Sequence, residues 1–269
     1  MNLDLDAYCR RIGHTGVLEP TFETLCALHR RHPAAIPFEN LDPLCGRPVS
    51  LDLHDVVAKL VDGGRGGYCF EQNGLFQAVL EAVGFTVTPP IARVLWGAPP
   101  GAPLGPLSHR LLLVELSEGR FLADVGFGGR LYGAPVRLAP LMDQLQGEGV
   151  FRLEAEGPYL TLRTALKDAW APLYRFTLEP AQAADYEVAN WHTSTHPRSF
   201  FTNNLLAERL TEAGRSSLFN RRLTRRRADG RVEVLELATP SALSEALKTD
   251  FGLDADGDAR EVFEKLPIS

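Results

Sequence analysis

Methionine, tryptophan and cysteine are scarce in this 269-residue chain, with 2, 3 and 4 copies. The cysteines exclude the most. Cys9, Cys26, Cys45 and Cys69 all fall in roughly the first quarter. None forms a CxxC pair, and their spacing fits neither a zinc site nor a small disulfide scaffold. Also missing is any run of about 18 apolar residues, which argues against a membrane span. The acidic start, Met1 to Asp6, lacks the basic and apolar regions of a secretory signal. A formal net charge of −6 argues against a nucleic-acid footprint over the whole surface. These absences predict free thiols in a cytoplasmic protein without metal, membrane or nucleic-acid partner. The length allows two or three small domains, or one large one.

The most distinctive stretch present is Gly63-Gly64-Arg65-Gly66-Gly67-Tyr68-Cys69-Phe70-Glu71-Gln72-Asn73. Four glycines in five residues permit tight turns with positive φ, and Phe70, Leu75, Phe76, Val79, Leu80 and Val83 recur at helical spacing. A helix beginning there holds Cys69 in its first turn, where unpaired N–H groups and the helix dipole favour a thiolate. That suits a nucleophile. A buried small hydrophobe is the plainer role for a free cysteine.

Around this stretch, residues 4 to 31 read as helical, with Pro33 and Pro37 interrupting the pattern. Asp52 to Val61 reads as a short helix, and Gly84 as the C-cap of the cysteine helix. Strands follow at 85–94, 111–116, 120–125, 135–138, 150–155, 159–164 and 173–178, with a hairpin at Glu118-Gly119 and a Pro/Gly-rich loop over 97–106. Such close spacing predicts a small barrel or curled sheet. Helices at 185–191, 240–248 and 259–265 flank a hairpin of 218–227 with 231–237. The expectation is an α+β chain in three parts: a helical bundle over 1–84, a β-barrel over 85–180 and an α/β lid over 181–269. Asp254 to Asp258 faintly resembles a calcium loop, but lacks the required Gly and Glu and reads as a solvated turn. Arg221, Arg222, Arg225, Arg226 and Arg227 read as a solvated edge strand, with contact to a ligand's phosphates as the alternative.

A cysteine nucleophile needs a base and a group to orient that base. Of seven histidines, His29 and His32 read as surface residues. His14 and His54 have no acidic partner in view, and His192 and His196 lie in a polar segment. His109 stands where the Pro/Gly-rich loop enters an apolar strand, a place from which it can face a cleft. Asp124 is flanked by apolar residues, so its carboxylate needs a partner. A turn at Glu118-Gly119 sets Asp124 opposite Leu113, about 13 Å along the strand from His109. A bulge, strong shear or a different pairing is needed to unite them.

Arg65 to Asn73 resembles the active-site motif of the arylamine N-acetyltransferase family. Ile36-Pro37-Phe38-Glu39-Asn40-Leu41, Ser108-His109-Arg110, Leu122 to Gly128 and Ser194 to Phe201 match further motifs in the same order. The resemblance implies a Cys69–His109–Asp124 triad between the bundle and the barrel. It also implies ping-pong acetyl transfer from acetyl-CoA, through acetyl-Cys69, to an arylamine or hydrazine. Phe38, Tyr68, Val94, Phe127 and Phe201 match the substrate pocket by position. Asn73, Trp96, Ser108, Gly126, Gly128 and Gly129 match the region that meets CoA, with the glycines bringing N–H groups to phosphates. Arg65 and Glu39 fit a structural ion pair. Monomer and homodimer both remain open. A macrolactam-forming amide synthase with the same triad, a thiol hydrolase or transglutaminase-like enzyme, and a catalytically dead binding protein are the rival readings.

Overall fold

The computed structural model describes residues 3–99, 101–130, 132–146, 149–167, 169–255 and 257–267. The N-terminal part is helical. Helix Leu5–Ile12 starts at Asp4, whose carboxylate accepts the Ala7 N–H at 2.9 Å, and ends at Gly13 with φ 66°. Helix Phe22–Ala35 starts at Thr21, whose hydroxyl accepts the Thr24 N–H at 3.2 Å. It runs through Pro33, where a break was expected, because the proline falls in the last turn and few bonds remain beyond it. Leu53–Val57 continues into one π-helical turn, Ala58–Asp62, before the glycines. Cys69–Val83 then ends at Gly84 with φ 105°. These helices bury Tyr8, Leu25, Leu28, Phe76 and Leu80 against Leu112, Val114 and Phe121 of a sheet.

The next strands form two antiparallel sheets. One orders Leu107–Arg110, Ile91–Val94, Trp170–Phe176, Tyr159–Ala165, Gly149–Glu156 and Gln144–Gln146. The other orders Thr86–Thr88, Leu112–Leu116, Gly119–Ala123 and Val136–Arg137. They share a core that includes Leu113, Leu122, Leu153 and Leu173. Among the described residues no ladder joins them into the closed barrel predicted from the strand spacing. The cause is local. Residues 107–116 look like one continuous strand, but they break at Leu111 and supply one strand to each sheet.

A third, five-stranded sheet orders Phe38–Glu39, Leu206–Thr211, Gly214–Phe219, Arg222–Arg227 and Val232–Glu236. Its first strand comes from the N-terminal part, with Phe38 opposite Glu208. The single strand expected over 218–227 is two strands, split where Asn220 adopts φ 52°. Arg222–Arg227 is consequently an interior strand, not an edge. Helices Pro240–Ala246 and Ala259–Lys265 pack Leu243, Ala246 and Val262 with Leu218 and Leu223 of this sheet. Among the described residues no helix is long and apolar enough to cross a membrane.

Candidate active site

Cys69 is the first residue of its helix and is 4% exposed. Only Gly64 of the preceding glycines has positive φ. Gly66 and Gly67 instead serve close approach: a Cβ at Gly66 would lie 2.2 Å from the Pro37 carbonyl oxygen. Glu71 accepts the Tyr68 N–H at 3.0 Å and closes the helix start. The Cys69 thiol points towards the Ser108 carbonyl oxygen, 3.6 Å from Sγ.

The obstacle between His109 and Asp124 is removed by two features. The hairpin pairs Leu116 with Gly119 and Leu113 with Leu122, so it turns on Ser117-Glu118, not Glu118-Gly119. Continuing that register places Asp124 opposite Leu111, where the chain switches sheets. Nε2 of His109 and Oδ2 of Asp124 then meet at 2.7 Å. His109 lies between the rings of Phe127 and Tyr174, with centroids 5.1 and 4.9 Å away.

Asp124 is fully buried and well supplied with donors. Asn73 Nδ2 donates to its Oδ1 at 2.8 Å, as does the Gly126 N–H at 2.9 Å. Asn73 also donates to the Arg110 carbonyl at 2.7 Å and accepts the Val125 N–H at 3.0 Å. One helical turn beyond Cys69, it clamps the nucleophile's helix to the segment carrying the carboxylate. Burial alone would lower the basicity of His109. The adjacent Asp124 carboxylate outweighs that, and with help from Cys69 holds the imidazole well above its ordinary pKa. Burial would likewise raise Asp124, but His109, Asn73 and the Gly126 N–H hold it below the usual carboxylate range.

Cys69 and His109 lie on the wall of a cavity of about 850 Å³. Phe38, Val94, Phe127 and Phe201 line it, whereas Tyr68 does not. Tyr68 is fully buried, and its hydroxyl donates to Asn190. Trp96, Ser108, Gly126, Gly128 and Gly129 also line the cavity, but Asn73 is enclosed behind it. The glycine N–H groups are engaged within the protein: Gly126 donates to Asp124, Gly128 to the Gly126 carbonyl and Gly129 to Glu208. Their small size is used for packing. A Cβ at Gly126 would lie 2.9 Å from the Cys69 Cα, and one at Gly128 would enter the Phe38 ring at 2.5 Å.

Two groups differ from what the sequence suggests. His29 and His32 are fully buried, not at the surface. His29 Nε2 accepts the Asp124 N–H at 3.2 Å, and its ring stacks on Tyr132. His32 is held between the Tyr8 hydroxyl at 2.8 Å and the Gln72 amide oxygen at 2.6 Å. The second group is Arg130, Arg215, Arg222 and Arg226, all lining the cavity. The alternation of Arg222, Thr224 and Arg226 is a strand signal for a shared face, obscured by the neighbouring arginines. Arg65 meets Glu39 at 2.7 Å, in a network that continues through Asp42 and Lys59 to Glu71.

A family model described as N-acetyltransferase matches residues 21–260. The arylamine N-acetyltransferase of Mycolicibacterium smegmatis is 40% identical, over 94% of this chain and 93% of that protein. A Salmonella typhimurium protein named as both an arylamine N-acetyltransferase and an N-hydroxyarylamine O-acetyltransferase is 38% identical, over 98% and 94% of the two chains. The structure of the Mycobacterium marinum arylamine N-acetyltransferase in complex with CoA superposes with a TM-score of 0.94. It is 37% identical, covering 98% of this chain and 100% of that one.

Proposed function

Since this chain belongs to the arylamine N-acetyltransferase family, we propose that Cys69, His109 and Asp124 carry its acetyl transfer from acetyl-CoA to arylamines or hydrazines. The observation that carries this assignment is the buried His109–Asp124 pair beside a helix-start cysteine, opening on one cavity. With Nε2 committed to Asp124, Nδ1 of His109 is the nitrogen that receives the thiol proton. Sγ attacks the thioester carbonyl, the bond to the CoA sulfur breaks, and CoA leaves as the thiol with that proton. The amine nitrogen then attacks the acetyl-cysteine. His109 takes the proton released from nitrogen and returns it to Sγ as the amide departs. Asp124 orients the imidazole and stabilises its charged form.

An arylamine suits the acceptor step because its nitrogen is largely unprotonated at neutral pH. Its ring matches the wall of Phe38, Phe127 and Phe201. The scheme requires no metal. Four free thiols support a cytoplasmic setting. Steady-state rates measured against both substrates test the two-step scheme. Double-reciprocal lines at several amine concentrations should be parallel. Intersecting lines would show that both substrates bind before any bond forms.

A further inference from the structure

The aromatic rings on the cavity wall are held to different degrees. Phe38 is buried in a strand, and a Cβ at Gly128 would already enter its ring, so that side of the wall has no room to shift. Phe201 is only half-buried and sits on Phe200–Asn203, a single helical turn. One turn does not persist by itself, because it fixes several residues for one hydrogen bond, and its last carbonyls have no partner inside the helix. The groups that hold it must come from outside.

At the start of the turn, Ser199 Oγ accepts the Phe201 N–H at 3.3 Å. At its end the partner is Asn40, 161 positions earlier in the chain. The Asn40 side chain is fully buried and lies behind the cavity wall, not on it. Its Nδ2 donates to the Phe201 carbonyl at 2.9 Å and to the Asn204 carbonyl at 2.7 Å, and its Oδ1 accepts the Leu206 N–H at 2.7 Å. Both N–H groups of the amide are thereby used, and one side chain ties residues 201–206 to the segment that carries Phe38. The Phe201 ring then stands 6.0 Å from the Phe38 ring and 5.7 Å from that of Tyr68, the residue before Cys69.

We propose that Asn40 is a positioning residue for the acetyl acceptor. It touches neither substrate. By fixing the Phe201 backbone it sets the separation of the Phe201 and Phe38 rings, and so selects acceptors that carry a flat aromatic ring. A buried amide at the strand end after Phe38 thus governs a specificity expressed 161 positions away. The inference rests on the acyl-transfer reading above.

The test compares anisidine with hydrazine itself, an acceptor without a ring, using acetyl-CoA as donor to the wild type, Asn40→Ala, Phe201→Ala and the double variant. In a two-step scheme kcat/KM for the acceptor reports only on steps after Cys69 is acetylated, and the ratio of two acceptors does not depend on the active fraction. A merely structural role for Asn40 would leave that ratio unmoved. The ratio of anisidine to hydrazine should fall by about tenfold or more in Asn40→Ala, because a wall ring displaced by about 1 Å no longer orients the amine. It should fall comparably in Phe201→Ala, and no further in the double variant, since both changes act through one ring. Asn40→Asp keeps the acceptor for the Leu206 N–H and removes the amide donors, so it gives the same test if Asn40→Ala does not fold. A ratio that does not fall in the Asn40 variants or in Phe201→Ala, or two effects that multiply in the double variant, would overturn the proposal. Failure of the wild type to acetylate either acceptor would instead overturn the acyl-transfer reading.

Discussion

Around Asp124, the polar groups are matched almost one to one. The carboxylate takes hydrogen bonds from His109, Asn73 and the Gly126 N–H, and its own N–H is accepted by His29. That last bond fixes the His29 tautomer, with the proton on Nδ1 and the lone pair on Nε2. His29 must therefore stay neutral. Burial pushes its pKa down to about 4, with the Asp124 charge opposing only part of the shift, and burial pushes His32 down to about 3. In the unfolded chain both titrate near the usual 6.5. The stability they contribute is complete above that pH and is lost as pH falls towards 4 and then 3. Between pH 7 and pH 4 the loss is about 3 kcal/mol for each. Urea unfolding of His29→Phe at these two pH values should show a pH-dependent loss smaller by about 3 kcal/mol than in the wild type. An undiminished loss would mean that His29 is not held neutral. At pH 7 the variant should be less stable by about 1–3 kcal/mol, since the Asp124 N–H loses its acceptor. Neither histidine was legible in the sequence, because the helical pattern of residues 22–35 does not reveal that His29 is covered by Asp124 and Tyr132, nor that His32 is covered by Tyr8 and Gln72.

Among secondary-structure elements, the helix start at Cys69 was the most legible, because a glycine run followed by helical apolar spacing leaves little choice. The two-sheet arrangement was not. A hairpin register differs by two residues according to which pair forms the turn, and Ser117-Glu118 lacks the glycine signal that Glu118-Gly119 carries. Strand spacing also cannot show that Leu111 is a junction between sheets. Strands Leu206–Thr211 and Gly214–Phe219 escaped notice because their sequences, LAERLT and GRSSLF, alternate too weakly. The segment from Asp124 to Gly129 depends on glycine for proximity to the cysteine helix. Gly126→Ala would force the new methyl group to within 2.9 Å of both the Cys69 Cα and the Asn73 amide nitrogen. Backbone on one side leaves no flexible end to yield. We expect destabilisation of about 1–3 kcal/mol and slower acetylation of Cys69, measured by thermal unfolding and single-turnover kinetics. A variant as stable and as fast as the wild type would show that this segment can move away from the helix.

In the molecule as a whole, the cavity is lined by Cys69, the six-stranded and five-stranded sheets and the segment Gly126 to Arg130, so its walls come from segments far apart in sequence. The C-terminal sheet is tied to the N-terminal part by more than one route. Phe38–Glu39 is its first strand, Asn40 donates to the Phe201 and Asn204 carbonyls, and Arg47 bridges Asp42 to Asp258. Five ordered motifs made the family readable from sequence, since each motif is a local string. The buried histidines depend on long-range packing and had no such string. The proposed transfer turns on one atom, Sγ of Cys69, and intact-protein mass spectrometry reports on it. After mixing with acetyl-CoA, the wild type should gain one acetyl group, lose it on addition of an arylamine such as anisidine, and Cys69→Ala should gain none. An acetyl group that persists in Cys69→Ala, or an unmodified wild type whose Cys69 still reacts with an alkylating agent, would contradict it.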